Sequence, residues 1–110
     1  MKTSSAKQKG RSFQQWVVRL ILRVFDLEPD DVRSCSMGAS GPDVQLSPRA
    51  QVLLGIAIEC KNQERLNIWS AYKQASNNSG GHEPCVFIKR NHHKPLAVMD
   101  AEYFIGVLSR

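Results

Sequence analysis

No stretch of this sequence is apolar for long enough to cross a bilayer, and its first ten residues are polar and basic with no apolar segment behind them. Neither a membrane span nor a secretion signal is expected, and the reading is of a cytoplasmic protein. Cysteine is scarce. Cys35, Cys60 and Cys85 make an odd count with no C-x-x-C pair, which excludes a disulfide framework and implies reduced thiols. The Asn77-Asn78-Ser79 sequon then has no bearing. The glycines supply no phosphate loop either: Gly38 and Gly41 stand in G-x-x-G spacing, but no Lys-Ser/Thr follows. The acids of the connector at residues 26–31 lack the spacing of a calcium loop, and no segment repeats another. His92 and His93 are adjacent on an expected turn with no cysteine pair to join them, which argues against zinc.

Acids are also missing from the first 23 positions, which hold six Lys or Arg, whereas the remainder of the chain is close to neutral. A basic arm on a near-neutral body suits a polyanionic partner. The plainer alternative is a solubilising terminus, mobile until it meets a ligand. Residues 1–10 are assigned to this flexible arm. Residues 11–110 form one domain, since 110 residues with 42% apolar and 23% charged content suffice for a single core.

Apolar residues recur at helical spacing over residues 11–26 (Phe13, Trp16, Val17, Leu20, Ile21, Val24), and Gln14 falls on that same arc, so its amide points inward. A short edge strand is expected at 32–36, a small-residue turn at 37–41, and a second helix at 66–77 with Trp69 in the core. Strands at 85–90 and 96–99 flank a basic tip, and a closing helix spans 101–108. The order predicts an α/β fold with a mixed sheet between helices.

The chemistry concentrates in two short segments. Residues 52–58 are rich in strand formers and end on Glu59-Cys60-Lys61; alternation places Glu59 and Lys61 on one face and Ile58 and Cys60 on the other. Asp43 begins a second short strand, 43–46, closed by Ser47-Pro48. Paired as an antiparallel hairpin centred near Gln51, these strands put Asp43 opposite Glu59. Two carboxylates ~4 Å apart repel by about 4 kcal/mol at an effective dielectric of about 20. A divalent cation between them reverses that sign, and oxygen donors suit Mg²⁺ or Mn²⁺. The Cys60 backbone carbonyl would add a neutral oxygen, and Lys61 would hold a water or offset phosphate charge. Such a set can hydrolyse a phosphodiester with metal assistance. A solvated surface salt bridge is the plain alternative.

Pro42-Asp43 with Glu59-Cys60-Lys61 resembles the PD-(D/E)XK signature of the restriction-endonuclease-like nucleases, over roughly residues 9–90. The resemblance is closest to small phage-type endonucleases and archaeal-type Holliday-junction resolvases. It implies an αβββαβ core and Mg²⁺-dependent DNA cleavage (Mn²⁺ as substitute), with no organic cofactor. It also implies a homodimer, and the host cytoplasm if the chain is phage-encoded. Asp43 and Glu59 would be metal ligands with the Cys60 carbonyl, and Lys61 the catalytic cation. In such resolvases an inward Glu on the first helix completes the metal site. Here the matching Lys9-Gly10-Arg11-Ser12-Phe13-Gln14 carries Gln14, which offers an oxygen without charge. A glutamine on the second helix often faces the site, and Gln74 fits that position. Lys9, Arg11, Lys89, Arg90, His92 and Lys94 are the expected phosphate contacts. A duplex-nicking or homing-type endonuclease is the close rival. A DNA-binding module with a decayed site is the alternative of a different class.

Overall fold

The computed structural model describes residues 3–36 and 40–110, so part of the turn expected at 37–41 lies outside the described residues. The chain runs through helix α1 (Thr3–Val24), strand β1 (Val32–Ser34), strand β2 (Val44–Leu46), helix α2 (Pro48–Leu54) and strand β3 (Ile56–Asn62). It continues through helix α3 (Ile68–Asn77), strand β4 (Glu83–Lys89), strand β5 (Leu96–Met99) and helix α4 (Ala101–Leu108). The result is an α/β fold built on a five-stranded mixed sheet in the order β1-β2-β3-β4-β5. Among the described residues only the β3–β4 pair is parallel, and α3 is the crossover that such a pair requires. No helix among the described residues is long and apolar enough to cross a membrane.

Helices cover both faces of the sheet. Phe13, Val17 and Ile21 of α1 pack with Val32, Val44, Ile58 and Cys60 on one face. On the other, Ala71 and Ala75 of α3 close on Val86. Those two alanines have no bulk beyond Cβ, so the helix axis can approach the strands closely. All three cysteines are free thiols.

Three local expectations are revised. First, α1 starts at Thr3, so the described part of the basic arm is helical and continuous with the segment expected from Arg11. Second, the stretch 52–54 is helical. Ser47 caps α2 by accepting the Ala50 N–H at 3.1 Å, Pro48 takes the first helical turn, and Gly55 ends it at φ +71°. These caps outweigh the strand preference of Val52 and leave Val52 and Leu53 exposed. Third, Trp69 lies outside the core, 86% exposed, because α3 turns its alanines to the sheet. Trp16 and Val24 are likewise exposed, although Trp16 stacks on buried Phe13 at 6.0 Å.

Helix α2 matters because it sets the register of the strands that carry Asp43 and Glu59. The Ser47 hydroxyl donates to Asp31 at 2.7 Å while it caps the helix. Its contact and the Glu28 N–H hold the Asp31 carboxyl below its usual range. Ser47→Ala is expected to destabilise the fold by about 1 kcal/mol. Urea unfolding should show a lower midpoint at unchanged slope; an unmoved midpoint would show that the cap contributes nothing.

Candidate functional site

Asp43 precedes β2 by one residue and is fixed from both sides. Its N–H donates to the Ile58 carbonyl at 2.9 Å, and its own carbonyl accepts the Cys35 N–H at 2.8 Å. The pairing of Val44 with Ile58 carries on to place Asp43 beside Glu59, the register expected from the sequence. The side chain adds a further tie, as Asp43 Oδ2 accepts the Cys60 N–H at 2.8 Å. The acid is therefore held by backbone on a strand end, where its position is set by the sheet.

Glu59 sits in the middle of β3, level with Val86 of β4, and is 3% exposed. Alternation turns Ile58 and Cys60 into the α1 core and Glu59 to the opposite side. Lys61, two residues on, brings Nζ to 4.0 Å from Glu59 Oε2. Glu59 Oε1 is buried with no hydrogen-bond partner among the described residues. An orphaned carboxylate oxygen carries a desolvation cost of a few kcal/mol, which a ligand can relieve.

The electrostatics follow from this packing. Burial, then the neighbouring Asp43 charge, pushes the Glu59 carboxyl up to about 7, against the pull of Lys61 and the Asn78 amide. Burial also raises Asp43, opposed by the Cys60 N–H and by Lys61. The Cys60 thiol is driven up by burial and by both acids, so it is inert as a nucleophile.

Around these groups opens a cleft of about 520 Å³, lined by Gln14, Asp43, Glu59, Lys61, Gln74 and Asn78 among others. Gln14 is 3% exposed and reaches the cleft from α1, so the inward amide expected from the sequence lies at the site. Gln74 reaches it from α3, and Cys60 also lines it. Asn78, the C-cap of α3, and Gln63, just past β3, line the cleft as well. Sequence reasoning missed both. Asn78 follows Gln74 by four residues, one helical turn along the same side, and that spacing was the available signal.

The expected phosphate contacts divide into two groups. Lys9 lies at the cleft end of α1, 3.9 Å from Glu64, and its carbonyl is 3.5 Å from the Asn62 amide. Arg11 is exposed one residue beyond Gly10, which lines the cleft. Lys89, Arg90 and Lys94 line a neighbouring groove, and His92 stands exposed on the hairpin tip at φ +64°. Glu64 joins the groups, since the same Oε2 accepts the Asn91 N–H of the tip at 2.7 Å.

Among the described residues, no cluster of three or more His, Cys, Asp or Glu side chains converges on one point. The donor set is the Asp43–Glu59 pair with neutral oxygens beside it. Two hard carboxylates, one with an orphaned oxygen, fit a cation such as Mg²⁺ that keeps several waters, and they lack the nitrogen and sulfur donors of a zinc centre. Comparison with protein-family models, characterised proteins and solved structures finds no match.

Proposed function

We propose that this protein is a Mg²⁺-dependent DNA endonuclease of the PD-(D/E)XK type, acting on branched DNA. The observation that carries the reading is the meeting in one cleft of Asp43, Glu59 and Lys61, with Lys61 Nζ 4.0 Å from the glutamate. The strand order supports it: α1, three strands, α3 and β4 run in the αβββαβ succession of the restriction-endonuclease-like core, with α2 inserted between β2 and β3.

Asp43, Glu59 and the Cys60 carbonyl would hold the ion, and Gln14 would reach it directly or through water. A bound Mg²⁺ supplies positive charge at the phosphate and makes a nearby water more acidic. Lys61 orients the attacking water and donates to the phosphate oxygen as negative charge builds in the transition state. Burial of Glu59 at the cleft lowers the local dielectric and strengthens those contacts. Lys9, Arg11, Lys89, Arg90, His92 and Lys94 seat the backbone on either side, which makes binding fall steeply with salt. A homodimer belongs to the same reading, so that two clefts meet two strands in symmetry.

The test is cleavage of a four-way junction, a flap, a single strand and a plain duplex side by side, in Mg²⁺ and in Mn²⁺. Metal-dependent cutting with the branched forms favoured is the expected result. Preference for plain duplex would move the assignment to a nicking or homing-type enzyme. Inactivity on every form with either metal would leave a DNA-binding module, a reading that the uncharged Gln14 favours.

A further inference from the structure

Beside the cleft lies a second depression that the cleavage chemistry does not use. Its volume is about 470 Å³, within the range of roughly 300–1,000 Å³ in which organic ligands are bound. Leu66, Ile68, Ile88 and Leu96 supply its apolar surface. Leu96, on the edge strand β5, is 58% exposed. The rim is cationic, with Lys89, Arg90 and Lys94. Its one acid, Glu64, is already engaged by Lys9 and by the Asn91 N–H.

One wall consists of flat groups. His93 Nδ1 lies 2.8 Å from the Asn91 carbonyl, and its Nε2 lies 3.2 Å from the Arg90 guanidinium. In the tautomer with Nδ1 donating to the carbonyl, Nε2 is left to accept from Arg90, which sets the two planar groups side by side. Imidazole and guanidinium planes are surfaces on which unpaired bases stack. Gln63 lines both depressions, and its N–H is tied to the Lys89 carbonyl at 3.0 Å, so groove and cleft adjoin at this residue.

We infer that this groove accepts the unpaired bases of a single strand leaving the cleft, their faces on the Leu96–Ile68 floor and the Arg90–His93 wall, their phosphates on Lys89 and Lys94. The inference rests on the nucleic-acid reading of the cleft and specifies its substrate: DNA with an unpaired segment next to the cut. Charge complementarity selects this occupant, because an apolar floor with a basic rim matches a chain of flat rings joined by anions. Paired bases keep their faces buried in the stack and cannot offer them to the groove.

The test measures binding by fluorescence anisotropy in EDTA, so that no cleavage intervenes. The probes are a short oligothymidylate and an abasic oligomer of equal length and charge. The expected preference for the oligothymidylate is about tenfold. Leu96→Glu should bring the two probes to parity, and His93→Ala should reduce the preference while circular dichroism stays unchanged. Equal binding of both probes to the unaltered protein overturns the inference and leaves the groove to a protein segment. So does a preference that survives Leu96→Glu. Base preference without cleavage in the metal series would keep the groove and reject the nuclease, and cleavage without base preference would do the reverse.

Discussion

Asp43→Asn is expected to end metal-dependent cleavage and to leave the fold intact. The asparagine oxygen can still accept the Cys60 N–H, now met at 2.8 Å by Asp43 Oδ2, so the tie between the two strands survives. What is lost is charge. A neutral amide binds Mg²⁺ far less well than a carboxylate, and the phosphate loses its electrostatic partner. Lys61→Ala should cost a factor of about 10²–10³ in turnover by removing a donor to the transition state. Both variants should bind DNA nearly as well as the parent protein, since the basic residues on α1 and the hairpin are untouched. A stability change separates them further. Asp43 is the second cause, after burial, of the raised Glu59 carboxyl, so Asp43→Asn relieves repulsion and should raise the melting temperature of the metal-free protein at pH 8. Cleavage retained in Asp43→Asn would remove the acid pair from the mechanism. A loss explained by unfolding, visible in the melting curve, would remove this reading of the variant.

The second large effect is a pH dependence with a definite sign. Glu59 is raised from 4.5 to about 7 in the folded protein, which therefore holds this proton more tightly than the unfolded chain does. Between those values the folded state binds more protons, so stability declines as pH rises through the window. The decline from this group is at most about 3 kcal/mol and levels off about one pH unit above 7. Asp43, also raised, adds in the same direction at the acid end. Asp31 is lowered and acts oppositely, contributing stability that is lost as pH falls below the ordinary carboxylate range. The metal-free protein should thus melt highest near pH 5 and lower at pH 8. On the proposed reading Mg²⁺ would bind the ionised pair, so it should raise the melting temperature at pH 8 and have little effect at pH 5.5. Glu59→Gln should flatten both responses. An equal Mg²⁺ effect at the two pH values, or an unaltered slope in Glu59→Gln, would place the titrating group elsewhere.

Much of this arrangement is legible in the chain because it is short-range. Asp43 and Glu59 are joined by β2, α2 and β3 alone, and the alternation of a strand decides which side each acid takes. The inward turn of Gln14 follows from one helical period. Helix α2 escaped because three apolar residues in a row suit a strand as well as a helix, although the Ser47-Pro48 start and the Gly55 stop were both present. The exposure of Trp69 is hidden in the sequence for another reason. Periodicity defines two faces of a helix without saying which meets the sheet, and here two alanines met it. Asn78, Gln63 and the Arg90–His93 wall depend on where α3 and the β4–β5 hairpin come to rest, which only tertiary packing decides.

One carboxylate shapes how a nucleic acid would enter. In the free protein Glu64 Oε2 answers both the Lys9 ammonium and the Asn91 amide, one from the helical arm and one from the hairpin tip. These are the donors that a phosphodiester oxygen would seek. On the proposed reading the protein carries its own placeholder, and arrival of a strand would be an exchange of one anion for another. Fewer mobile ions would then be set free than the count of basic side chains suggests, and indiscriminate attachment to any passing polyanion would be held down by a competitor already in its seat.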